Sequence, residues 1–330
     1  MDVAASKEIK DYFSSIKKEV ENCYNIANKS RANKLDPEDK SEIILAHTMA
    51  DRVLGLVSMV APQILETNIP ERVQELEKEY GTLDWRVGFK LAEEVAKEKF
   101  CKFKDKQEAI EIGIRTGFAY LTLGIVAAPL EGFIGIEIKR RKDGKEYLAL
   151  KYAGPIRGAG GTASSTSVIL SDYVRVKMGY APYDPDEKEI KRYITEIHDY
   201  HERITNLQYH PSDEELNFML SNLPIEVDGD PTEKIEVSNF KDLPRIGTNL
   251  IRGGMCLVVA EGLCQKAPKL WKRLSKWGKE FDLDWDFMGE FLDLKKKIHA
   301  KGAKEENKDV KVGEKVKKKV QANNTFIADM

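Results

Sequence analysis

The chain has 330 residues, 42% of them hydrophobic and 33% charged, with 53 Lys and Arg nearly cancelled by 55 Asp and Glu. That is room for about two ordinary domains and a real core. The balance excludes both a wholly disordered chain and a uniformly basic nucleic-acid binder, so any affinity for a polyanion must come from local patches.

In chain order, residues 6–29 place Ile9, Phe13, Ile16, Val20, Cys23 and Ala27 at alternating spacings of four and three, one apolar stripe on a helix. A second stripe (Ile43, His47, Ala50, Leu54, Val57, Ala61) is expected on a helix that opens with Asp36 as N-cap and Pro37 and stops at Pro62. The short linker Ser30–Leu35 predicts an antiparallel hairpin over residues 1–62, an assembly subdomain whose surplus apolar surface points to a homodimer. Short helices are then predicted around Val73–Tyr80, from Asp84 to Phe100, and from an Asp105/Glu108 capping box to about Leu123.

At residue 133 the period changes from helical to alternating. Ile134, Ile136 and Ile138 precede Asp143-Gly144, and Tyr147 to Leu150 follow, so residues 133–152 read as an antiparallel β-hairpin with a basic tip, Lys139-Arg140-Arg141-Lys142. The glycine-rich run GPIRGAGGTASS leads into a helix to about Met178, and further helices are predicted over 186–204 and 212–221. Residues 225–238 read as a second small hairpin or turn. An apolar helix from Thr248 runs into a basic one after Ala267-Pro268. The fold class is therefore α+β, mostly helical, with residues 63–294 as the larger domain. Residues 295–319 hold eleven Lys against four acids and are expected to begin a flexible tail over 295–330.

Four readings bear on chemistry. The run Gly158-Ala159-Gly160-Gly161-Thr162-Ala163 satisfies the G-x-G-x-x-A pattern of a phosphate-cradling loop, but its strand belongs to an antiparallel hairpin and no acid closes a second strand. A nucleotide-binding enzyme using residues 154–163 is the alternative reading. Close packing, or a loop touching DNA phosphates with Arg157, Gly158, Gly160 and Gly161, accounts for the run equally well. His198, His201 and nearby His210 have no Cys or further ligand at zinc spacing, and no metal is expected there. Asp228-Gly229-Asp230 imitates a magnesium-binding carboxylate pair, but beside Pro231 it reads as a hydrophilic turn, so no catalytic residue is assigned.

The basic helix is the most informative of the four. Leu270, Leu274, Trp277 and Phe281 form an inward stripe, while Lys269, Lys272, Lys276 and Lys279 line a second one, with Lys266 and Arg273 alongside. A single-signed row in a charge-balanced chain points to phosphate binding. Arg252 and the hairpin tip (Lys139, Arg140, Arg141) are further candidates.

Four cysteines, Cys23, Cys101, Cys256 and Cys264, lack C-x-x-C spacing and form neither a disulfide framework nor a zinc ribbon. The start, MDVAASKEIKDYF, has no basic leader or apolar core, and the most apolar run, residues 121–138, is broken by Pro129 and Glu131. A cytoplasmic protein without membrane partners is expected.

At YAGPIRGAGGTASS (152–165) and NLIRGGMCLVVAEGLCQKAPKLWK (249–272) the sequence resembles the large subunit of the archaeal D-family DNA polymerase, a likeness running from Met1 to about Leu294. The resemblance implies the N-terminal region of a much longer replicative subunit from an archaeal source, and six Gln against abundant Lys and Glu fit a thermophile. Its polymerase carboxylates, which use Mg²⁺, lie in double-psi β-barrels downstream, and its zinc modules lie near its C-terminus. It also implies a small partner subunit bearing a 3′–5′ exonuclease. For residues 1–330 it implies scaffold, assembly and DNA contact, with no cofactor and no catalysis of their own.

Overall fold

The computed structural model describes residues 6–35, 46, 48–231, 233–298 and 300. The chain divides into two compact units between Leu45 and Ala46. The first contributes α1 (Lys7–Ala32), capped by Ser6, whose side chain accepts the Ile9 N–H at 3.3 Å. No residue of α1 is buried: Ile9, Phe13 and Ile16 are 48%, 63% and 39% exposed, and Val20 is half-buried. The first apolar stripe is thus present and uncovered by its own helix.

The second stripe has a different fate. Ile43, His47 and the expected Asp36-Pro37 start lie outside the described residues. The helix α2 (Met49–Val57) is capped by Thr48 in a reciprocal box with Asp51. Ala50, Leu54, Val57 and Ala61 are buried in the second unit, in a core shared with α3 (Ile69–Tyr80), α4 (Trp85–Ala96) and α5 (Lys106–Leu121). Leu54 and Val57 are therefore withdrawn as assembly residues. Each such side chain gains roughly 1.5–3 kcal/mol by burial, and these two spend it internally. The helices α4 and α5 approach closely because they meet through small residues. A Cβ on Gly117 would lie 2.6 Å from the Gly88 carbonyl oxygen.

A three-stranded sheet sits against the larger core. β1 (Phe133–Arg140) and β2 (Glu146–Tyr152) form the expected antiparallel hairpin, turning at Gly144 with φ of 83°. The second hairpin gives way to a different arrangement. Glu226–Gly229 forms β3, which pairs parallel to β2 from Ala149↔Glu226 to Tyr152↔Gly229. Parallel pairing needs a long crossover, supplied here by α6 (Gly161–Lys177), α7 (Glu187–Arg203) and α8 (Asp213–Asn222). Beyond β3, residues 235–237 meet 249–251 only through an isolated bridge, Glu236↔Leu250. β2 is central and almost wholly buried, which explains its run of Tyr147 to Leu150.

The apolar helix after Arg252 is α9 (Gly253–Leu257), continuing through a π-helical stretch, Val258–Cys264, into α10 (Gln265–Trp277). The Cys264 carbonyl that Pro268 cannot bond accepts instead from Lys295 Nζ at 3.1 Å. Among the described residues no helix is long and apolar enough to cross a membrane.

Candidate nucleic-acid interface

α10 buries Leu270 and Leu274 and turns its basic side outward into a cleft of about 870 Å³. The opposite wall is the turn between α3 and α4, residues 80–86, with Thr162 of α6 at one end. Five cations line it (Arg86, Lys269, Lys272, Arg273, Lys276), against two carboxylates, Asp84 and Glu280. Asp84 is already committed: it caps α4 by accepting the Arg86 N–H at 2.9 Å and takes the Arg86 guanidinium at 3.0 Å. Burial would raise its pKa, but those bonds hold it below the usual carboxylate range.

Lys269, Lys272, Arg273 and Lys276 are exposed and form no ion pair with any described residue. Arg273 lies flat on Trp85, its guanidinium carbon 3.8 Å from the ring centroid. Burial depresses its pKa, Asp84 only partly offsetting the effect. Behind the row, Trp277 packs edge-on against Phe89 at 5.4 Å and Phe281 at 5.2 Å, which fixes the helix on the core. On the facing wall Leu83 is 49% exposed with φ of 63°. Its N–H donates to the Tyr120 hydroxyl at 3.1 Å, which itself donates to Glu77 at 2.7 Å.

The other sequence candidates fall elsewhere. Lys266 is half-buried on the first turn of α10 and lines no part of the cleft. Lys279 lies beyond the end of α10, off the row, and pairs with Asp286 at 3.3 Å. Arg252 is corrected: it is fully buried, held by Glu196 at 2.8 Å and Asp228 at 2.6 Å, and cannot reach DNA. Lys139 is likewise turned inward, bonding Glu226 at 3.0 Å and Asp228 at 2.9 Å. At the tip, Arg141 meets Asp143 and Asp184, Lys142 meets Asp186, and Arg140 stands 3.7 Å from Glu146. The hairpin tip is a neutralised corner, matched by Asp143 and Glu146 of the hairpin itself and by Asp184 and Asp186 from further along the chain.

The glycine-rich run serves packing at one position at least. A Cβ on Gly161 would lie 2.2 Å from the Glu261 carbonyl oxygen, so only glycine lets α6 approach the π-helical stretch. Gly160 carries φ of 76°, and Gly158 and Gly160 are exposed. Arg157 pairs with Glu261 at 3.2 Å, and the same carboxylate accepts the Gln208 N–H.

Asp228 does not fit a magnesium ion. Its oxygens are taken by Arg252, Lys139 and the Gly229 N–H. Burial would raise its carboxyl, yet Arg252 and Lys139 hold it well below the usual range. Among the described residues no group of three or more His, Cys, Asp or Glu could hold a metal. His198 spends its two ring nitrogens on His210 and Asp213, each at 2.6 Å. Burial, with His201 and His198 adjacent, keeps His210 below the ordinary imidazole range. A second cavity, about 480 Å³, opens beside the sheet. Its deep charges satisfy one another: Lys139 with Asp228, and Arg245 with Asp184 and Glu189.

Sequence reasoning found one wall of the cleft and missed the other. Residues 80–86 and 269–276 are almost two hundred positions apart, and neither Trp85 nor Leu83 carries a local signal for its role.

Fold and cleft together define, among the described residues, a helix-dominated α+β module with a basic cleft of unpaired cations. Residues 11–294 match the family described as DNA polymerase II large subunit DP2, N-terminal, and the chain belongs to that family. It is 49% identical over 310 residues to the DNA polymerase II large subunit of Nanoarchaeum equitans, covering 94% of this chain and 25% of that protein. The namesake from Thermococcus kodakarensis is 43% identical over 306 residues, 92% of this chain and 16% of that one. That from Methanococcus maripaludis is 40% identical over 296 residues, 90% and 25% respectively. The chain thus spans a quarter or less of the length of these relatives.

Proposed function

We propose that this chain is the N-terminal portion of the large subunit of a replicative DNA-directed DNA polymerase, and that it supplies scaffold, an assembly surface and contacts to the DNA backbone. The observation that carries the DNA contact is the cleft of α10. Three lysines and an arginine stand there without an acidic partner among the described residues, whereas the cations of the hairpin tip are matched by acids. Cations left unpaired at one place are the electrostatic footprint of a polyanion. In the parent enzyme, primer extension from dNTPs with Mg²⁺ belongs to carboxylates downstream of this chain, and proofreading belongs to a small 3′–5′ exonuclease subunit. The complex works in the cytoplasm, where archaeal DNA lies.

The uncovered stripe of α1 supports the assembly role. Its heptad-like spacing suits a second copy of the same helix, giving a homodimer. Replacing Lys272 and Lys276 together by Ala tests the DNA contact. Affinity should fall for every sequence alike, and unaltered binding would remove the reading.

A further inference from the structure

We infer, resting on the DNA-contact reading above, that the cleft of α10 is built for a single strand, with the Arg273 guanidinium as a platform for an unpaired base and Leu83 as the opposing lip. The cleft's volume of about 870 Å³ falls in the range that encloses a drug-sized ligand, roughly 300–1,000 Å³. That is room for a short run of nucleotides. A duplex keeps its base faces stacked inside and presents phosphates, which the exposed lysine ends can meet.

Arg273 is not a flexible end. One face of its guanidinium rests on Trp85 at 3.8 Å, no carboxylate bonds its nitrogens, and the residue is exposed and lines the cleft. A guanidinium plane stacks on unpaired bases, and a base inside a duplex has no face free to meet it. Across the cleft, Leu83 keeps an apolar side chain half-exposed on a left-handed backbone. A left-handed leucine persists only where its surroundings enforce it. Here the Tyr120–Glu77 hydrogen bonds do so. An apolar side chain and a cationic plane lining one cleft, with lysines along α10, combine base stacking with backbone charge.

The test uses the full chain, a labelled oligothymidylate and a hairpin duplex of equal phosphate number. Arg273→Lys keeps the charge and loses the plane. It should weaken single-strand binding about tenfold, or about 1.4 kcal/mol, and change duplex binding less than about twofold. Leu83→Ser, on the other wall, should lower single-strand affinity several-fold and spare the duplex. Thermal midpoints confirm that both variants fold. If Arg273→Lys and Leu83→Ser both bind the single strand as the wild type does, or weaken both ligands equally, the single-strand inference is overturned. The parent reading fails separately, when Lys272→Ala with Lys276→Ala changes neither ligand.

Discussion

Arg252 donates from Nη1 to Asp228 Oδ1 at 2.6 Å, joining a fully buried guanidinium to a carboxylate that is 7% exposed. Each resembles a functional residue in isolation, an arginine for DNA and an aspartate for magnesium. Together, with Glu196 and Lys139, they are a closed ionic cluster that ties α7 and the start of α9 to β1 and β3. Breaking a buried pair strands a charge and costs about 3–5 kcal/mol. Arg252→Ala should destabilise by that much in denaturant unfolding. Arg252→Met fills the space but leaves Glu196 to Arg192 alone and Asp228 to Lys139 alone, so it should also be costly. A stable Arg252→Ala protein with weakened DNA binding would instead return Arg252 to the interface.

The same cluster predicts that residues 1–330 do not polymerise on their own. Two-metal phosphoryl transfer needs convergent carboxylates free to hold cations, and Asp228 has no oxygen to spare. Purified chain with primed template, dNTPs and Mg²⁺ should incorporate nothing above background. Incorporation abolished by Asp228→Ala would contradict this.

Self-association should depend on α1. Phe13→Ser with Ile16→Ser in the full chain should convert a dimer to a monomer in light scattering, leaving the unfolding midpoint of the second unit unchanged. A monomer before and after the substitutions would dispose of the assembly role.

Glu93 gives a pH dependence. Burial alone would raise its carboxyl, but hydrogen bonds from Lys97 and Tyr173, with Lys90 near, bring it from 4.5 down to about 2. A folded pKa below the unfolded one stabilises fully above about pH 4.5 and is lost as the pH falls towards about 2. Glu93→Gln should cost about 2 kcal/mol at neutral pH, and its deficit should narrow progressively below pH 4.5. A deficit that stays constant with pH would show that the carboxylate's charge is irrelevant.

Local patterns predicted local structure well. The stripe of α1, the short helix expected over 212–221, the 133–152 hairpin and the inward face of α10 all follow from spacing within one segment. Long-range pairing was not legible. β3 reads as half a hairpin because nothing near Val227 reveals that its partner is Leu150, across three helices. Leu54 and Val57 read as surplus surface because the residues that bury them follow them on α3–α5. The basic hairpin tip reads as a patch because Asp184, Asp186 and Glu226 neutralise it from a distance. For the same reason half of the cleft, Leu83 and Trp85, was invisible from sequence.

The most direct test of the DNA contact is the salt dependence of duplex binding, measured by anisotropy on the full chain and on Lys272→Ala/Lys276→Ala. Each phosphate neutralised contributes about 0.9 to the slope of log affinity against log salt. The Lys-rich segment after residue 294 is common to both proteins and cancels in the difference. The account predicts a slope lower by about 2 in the double variant, with all sequences weakened alike. Identical slopes would mean that the lysines of α10 are only a solvated face.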